Sequence, residues 1–183
     1  NRYLPKDMSV QWCRPVPADF HARNSARSRR YRYLLLESAV RPSIEAGLVG
    51  WTFRPLDGEA MRRAAAHLVG EHSSFRAAQC QAASSVKTLY EIAIARQGDY
   101  WRFDFHGSAF LHHMIRNVMG CLLAVGAGRQ APDWMAEVLE ARDRDAAAPT
   151  FAPDGLYFVG PQYDAHLGLP SPTDDPGWRH VMA

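Results

Sequence analysis

Ser28-Arg-Arg-Tyr-Arg-Tyr-Leu-Leu-Leu-Glu37 is the stretch from which the fold is read. It alternates with a period of two: Tyr31, Tyr33 and Leu35 fall on one side, and Arg30, Arg32 and Leu34 on the other. Successive side chains of an extended chain point to opposite faces, so the stretch reads as a strand. Downstream, Val86–Arg96 and Asp99–His106 read as a hairpin turning at Gln97-Gly98. Val86, Thr88, Tyr90, Ile92 and Ile94 line one face of its first arm, and Trp101, Phe103 and Phe105 one face of its second. Shorter strands are predicted at Ser9–Cys13 and Gly155–Gly160. A helix opens at Pro55-Leu56-Asp57 with Asp57 as N-cap. Met61, Ala65 and Leu68 form its buried stripe, Arg62 and Arg63 point outward, and Gly70 closes it. Ala109–Val125 is the strongest helix signal, and Trp134–Ala141, entered through Pro132, is a shorter one. The fold class expected is α+β, a mostly antiparallel sheet with helices packed on one face. Residues 1–170 read as one domain, and 171–183, rich in Pro, Gly and Asp, as a surface tail.

Composition narrows the class. A chain of 183 residues suits one large domain or a tight pair of small ones. With 47% hydrophobic and 22% charged residues it is ordinary globular material, which excludes a disordered tail, a collagen-like fibre and a coiled coil. No run of about 18 apolar residues occurs, so no membrane-spanning helix is expected. The net charge of +2 names no partner. The bases are uneven, however: of 21, all but Lys6 and Lys87 are Arg, whose planar fork of donors matches phosphate oxygens. A GC-rich codon preference is one source of that excess. Location says more, because Arg23–Arg32 holds Arg23, Arg27, Arg29, Arg30 and Arg32 and no acid. Cys13, Cys80 and Cys121 are far apart and form no CxxC pair, which points to reduced thiols in a cytoplasmic protein rather than disulfides or a zinc knuckle.

Two motifs carry possible chemistry. In Ala109–Val125 the polar residues are His112, His113, Arg116 and Asn117, at i, i+1, i+4 and i+5, which share one helix face. The rest is apolar, so the helix should be buried and its polar stripe should meet a cleft or polar partners. Arg116 in particular calls for a carboxylate or a phosphate, since an unpaired buried charge is costly. A structural hydrogen-bond network would serve as well. A metal site is disfavoured, because adjacent histidines diverge by about 100° around a helix. The second motif, Phe20–Tyr33, interleaves arginines with Tyr31 and Tyr33. Cations neutralise phosphates and aromatic faces stack on unpaired bases, which is how single-stranded or looped RNA is read. An edge strand with solvated arginines and core tyrosines is the alternative.

Five segments in order then carry a resemblance: Phe20-His-Ala-Arg23, Arg29-Arg-Tyr-Arg-Tyr33, Ser74-Phe-Arg-Ala77, Ala109-Phe-Leu-His-His-Met-Ile-Arg-Asn117 and Gly155-Leu-Tyr157. Together they resemble the TruA-type tRNA pseudouridine synthases, from about Leu4 to Pro170. The resemblance implies the C-terminal catalytic domain of an enzyme that isomerises uridine to pseudouridine at nucleotides 38 to 40, in the anticodon arm of tRNA. It implies no metal and no organic cofactor, and a cytoplasmic homodimer with tRNA lying across both subunits. Tyr31 matches the active-site tyrosine that stacks on the flipped base and takes the C5 proton. Arg116 matches the basic residue that pairs with the nucleophilic Asp, and Leu156 an apolar residue contacting the uracil. His21, Arg23, Arg27, Arg29 and Arg30 would meet the RNA backbone, and His112 and Asn117 would line the substrate site.

The departures are specific. The family's Gly-Arg-Thr-Asp-Ala-Gly motif, which holds the nucleophile, does not occur in this chain. Neither Asp104 nor Asp154 has matching context, Asn24 replaces a usual Phe, and Ser108 a common Asn. His72-Ser73 is also short for the corresponding loop. The chain by itself is therefore expected to bind RNA without turnover. A non-catalytic RNA-binding module or scaffold is the alternative reading. A small-molecule enzyme using the His112/Arg116 stripe is a third.

Overall fold

A computed structural model describes residues 1–72 and 87–170. The Ser74–Ala77 motif, the shortened loop from Ser73 on, Val86 and the tail 171–183 lie outside the described residues. Ser28–Glu37 is a strand, β1, as its alternation predicts. Tyr33 and Leu35 are fully buried against the helices, while Leu34 and Leu36 pack on the opposite face with Val49. Around β1 stand β2 (Gly50–Thr52), β3 (Gly70–His72), β4 (Lys87–Gln97), β5 (Tyr100–Gly107) and β6 (Leu156–Gln162). The path is β2-β1-β5-β4-β3, with β6 also pairing β1. Every pairing is antiparallel except β1 with β2. Three helices, α1 (Gly58–Ala66), α2 (Met114–Gly126) and α3 (Trp134–Ala141), share one core with Tyr33, Leu35, Trp101, Phe103 and Phe105. This is the α+β layering expected, with the helices on one face of the sheet.

One edge of β1 is shared between two strands. β6 pairs with Ser28–Tyr33 and β2 with Leu35–Glu37. Gly155 sits at the changeover, where its carbonyl accepts the Leu34 N–H at 2.9 Å. Its φ is 92°, a conformation L side chains rarely adopt, and a Cβ there would stand 2.2 Å from the Leu34 oxygen and 2.5 Å from the Gly50 nitrogen. The Gly of the Gly155-Leu-Tyr157 segment is thus required by two converging backbones.

Four local readings change. Ser9–Cys13 is not a strand: residues 1–19 are exposed and irregular, because alternation without a ladder partner leaves backbone groups to water. Tyr90 does not line the hairpin's inner face. A bulge between Leu89 and Glu91 flips the alternation, so that Leu89, Ile92 and Ile94 point inward and Tyr90 outward. The turn itself is Gly98-Asp99, one residue on, with Gly98 at φ 57° and Gln97 opposite Tyr100. The first helix ends at Ala66, and Gly70 opens β3 instead of closing that helix.

Asp57 caps α1 as expected, accepting from the Glu59 and Ala60 N–H groups at 2.9 and 3.0 Å. Asp57→Ala should cost about 1 kcal/mol of stability. Gly155→Ala should cost more, about 2 kcal/mol, because two backbones must give way. Urea unfolding of each variant measures both; equal midpoints for wild type and Gly155→Ala would contradict the changeover geometry.

Candidate functional site

The site is built on the helix-side face of β1 and β6. Tyr31 is half-buried, flanked by Phe110 with ring centroids 5.1 Å apart and by Phe158 at 5.0 Å. Phe158 lies opposite Tyr31 in the ladder and is 55% exposed, a large aromatic left open beside it. A bulge in the pairing between Arg30 and Tyr31 sets Phe158, not Val159, at this place. Burial raises the Tyr31 pKa above its ordinary value, with Arg29 pulling the other way. Its hydroxyl has no hydrogen-bond partner among the described residues. Tyr33, one step along, is entirely buried and donates to the Ala152 carbonyl at 2.9 Å. Leu156 is opposite Tyr33 and half-buried against the same core. Of the two tyrosines on this face, only Tyr31 is reachable.

The polar stripe is not one helical face. The helix begins at Met114, and Ala109–His113 runs in as a non-helical lead, with His113 at φ 60°. Phe110 goes to Tyr31 and Leu111 into the core, which pulls this lead out of helical path. His112 and His113 are exposed and stack on each other, with ring centroids 3.7 Å apart. Desolvation, His112 and Arg116 together lower the His113 pKa. Asn117 is the opposite case, 1% exposed, its Oδ1 accepting the Thr150 hydroxyl at 2.6 Å. Arg116 lies between, partly buried. Its Nε donates to the Phe151 carbonyl at 2.7 Å, and its own carbonyl accepts the Phe151 N–H at 3.1 Å. Among the described residues no carboxylate reaches salt-bridge distance of Arg116, so the acid demanded by its position is not in this part of the chain. Burial first and Asp154 second raise the Tyr33 pKa, and Arg116 lowers it.

The arginines of the basic segment divide by partner. Arg27 is exposed and paired with Asp164, Nε to Oδ2 at 2.8 Å. Arg29 is a backbone clamp, donating to the carbonyls of Ala26 and Ser108 at 2.9 and 2.8 Å and to that of Arg23. Arg32 is buried and bound to Asp104 at 2.7 Å. Arg23 is exposed. Arg30 is half-exposed on the far face, with an Nε that meets no acceptor among the described residues. His21 is also exposed, but its Nδ1 accepts from the Arg23 and Asn24 N–H groups. None of these partners is legible in the spacing.

Sequence reading missed Phe158, Phe110 and the segment Pro149-Thr-Phe-Ala152. The signal for Phe158 was present: it alternates with Leu156 along a strand. The segment 149–152 has no periodicity to find.

His106, on the far face of the sheet, has a lowered pKa from burial first and Arg30 second, with Glu91 opposing. As pH falls through about 6.5 the unfolded chain takes this proton before the folded one, so stability drops below that point. His106→Gln should flatten the slope of unfolding free energy against pH below about 6.5. Urea titrations at several pH values read it, and a slope unchanged by the substitution would refute the assignment.

Comparisons with known proteins agree on one family. A family model described as tRNA pseudouridine synthase matches residues 64–164. A protein of Methylibium petroleiphilum named tRNA pseudouridine synthase A is 71% identical over 180 residues, covering 97% of this chain and 69% of the relative. Relatives of the same name from Polaromonas naphthalenivorans and Delftia acidovorans are 62% and 56% identical, each over 97% of this chain and over 70% and 72% of their own lengths.

Proposed function

The chain belongs to the tRNA pseudouridine synthase family, and we propose that it forms the Tyr31/Arg116 side of a site that isomerises uridine at nucleotides 38 to 40 of tRNA. The observation that carries this is a single one: a reachable Tyr31 between Phe110 and Phe158, on the sheet face that also bears Leu156. The reaction exchanges the N1–C1′ bond for a C5–C1′ bond. A proton leaves C5 and one returns to N1, so nothing is consumed.

The target base must first leave its stack, at a cost of a few kcal/mol. An aromatic surface returns about 1–3 kcal/mol per stacked base, and Tyr31 with Phe158 supplies one. Leu156 contacts the uracil edge. Raised by burial, the Tyr31 phenol is protonated at neutral pH, which suits stacking and hydrogen-bond donation. Acceptance of the C5 proton needs the phenolate, and Arg29 acts in that direction. The Nη atoms of Arg116, which meet no acceptor among the described residues, would take the nucleophilic carboxylate and keep it ionised and aimed. That carboxylate is not provided by a matching motif in these 183 residues. Exposed Arg23, His21 and His112 would meet phosphates, Arg30 would do so only from the opposite face of the sheet, and Arg27 could join them by releasing Asp164. Arg29 serves them as a clamp, and Asn117 serves from behind through Thr150. We read the enzyme as a homodimer on the family resemblance, and as cytoplasmic on that resemblance and on cysteines that form no CxxC pair.

Tritium release from C5-labelled uridine in tRNA tests the reading on the full-length protein. Tyr31→Phe should lower release by at least about 10²-fold while tRNA affinity stays near wild type. Affinity should fall steeply and log-linearly with salt. Full-length wild type that releases no tritium, with Tyr31→Phe behaving identically, would end it.

A further inference from the structure

Pro149-Thr-Phe-Ala152 is a strap laid along the start of α2 and fastened at every residue. The Pro149 carbonyl lies against Gly120, so close that a Cβ on that glycine would stand 2.2 Å from the oxygen. The Thr150 hydroxyl donates to Asn117 Oδ1 at 2.6 Å and accepts from Arg144 Nη2 at 2.9 Å. Phe151 exchanges two hydrogen bonds with Arg116, and its ring is 5.9 Å from that of Tyr33. The Ala152 carbonyl accepts from the buried Tyr33 hydroxyl at 2.9 Å.

The line Arg144 to Thr150 to Asn117 is a directed chain of donors ending on a buried amide. Each link polarises the next, and a charged donor at its head strengthens the whole. Phe151 follows Thr150 directly, and its carbonyl is the only acceptor that holds the Arg116 side chain among the described residues. A guanidinium is planar, so an anchor at Nε fixes the plane in which its two Nη groups lie. That plane follows the Phe151 carbonyl, which is held on one side by the Phe151 N–H on Arg116 and on the other by the neighbouring Thr150 hydroxyl on Asn117.

We propose that Thr150 and Arg144 are positioning residues for Arg116, acting through the strap at residues 149–152. The inference rests on the functional reading above, in which Arg116 holds the reacting carboxylate. Thr150→Val keeps the shape and removes the hydroxyl; Thr150→Ser keeps the hydroxyl. In single-turnover tritium release by the full-length protein, Thr150→Val should be slower by about tenfold or more, as small misplacements near the chemistry cost. The tRNA dissociation constant should stay at the wild-type value, and Thr150→Ser should restore the rate. Arg144→Gln, at a partly exposed position, should give a smaller loss of the same kind with an unchanged melting temperature. Wild-type rate in Thr150→Val, or equal losses in Thr150→Val and Thr150→Ser, would overturn the proposal. Hydrogen exchange at the Arg116 Nε–H, followed by NMR, is independent of turnover. It should be slow in wild type and in Thr150→Ser and fast in Thr150→Val, and exchange equally slow in all three would overturn the proposal even if the Val variant had lost activity through instability. An inactive wild type would sink the functional reading instead and leave this exchange to decide the strap.

Discussion

Everything in this structure depends on how β1 spends its two faces and two edges. One face gives Tyr33 and Leu35 to the helices, and the other gives Leu34 and Leu36 to a smaller cluster. One edge is taken by β5 along most of its length, and the other is divided between β6 and β2. A shift of one residue would send the arginines into the helix core and the tyrosines out of it. The register that buries Tyr33 is therefore the same constraint that leaves Tyr31 at the rim. Stability and site geometry are set by one alternation.

Signals with a period and a stop could be read directly. β1, the hairpin arms, the Asp57 cap and Trp134–Ala141 follow from alternation, helical spacing and turn residues. Features decided by a distant partner could not. β2 is three residues long, too short for any period, and exists because β1 has a free edge beside it. The start of α2 was misread because Phe110 and Leu111 are drawn away by Tyr31 and the core, although both are compatible with a helix.

The site shows the same division. Motifs single out Tyr31, Arg116 and Leu156 as candidates, but what each touches is not legible in them. Arg116 asked for an acid and has a carbonyl. Arg27, Arg29 and Arg32 look alike in sequence and have become an ion pair, a backbone clamp and a buried bridge to Asp104. The basic run is thus less a uniform cationic surface than a set of fasteners with few free ends. Arg23 and Arg30 are the members for which hydrogen-bonded side-chain partners are lacking among the described residues.

The divided edge of β1 also has a history in time. Ser28 and Gln162, bonded at 3.0 Å, are 134 residues apart in sequence. On a ribosome adding about 5–20 residues each second, β1 would wait on the order of ten seconds for β6 to appear. During that interval its outer edge is an unpaired strand, a template for another nascent chain. Arg29, Arg30 and Arg32 lie on the half of the strand that waits longest, whereas the apolar Leu35 and Leu36 lie where β2 arrives early. The charges that later clamp and pair would, in the nascent chain, guard that edge against aggregation.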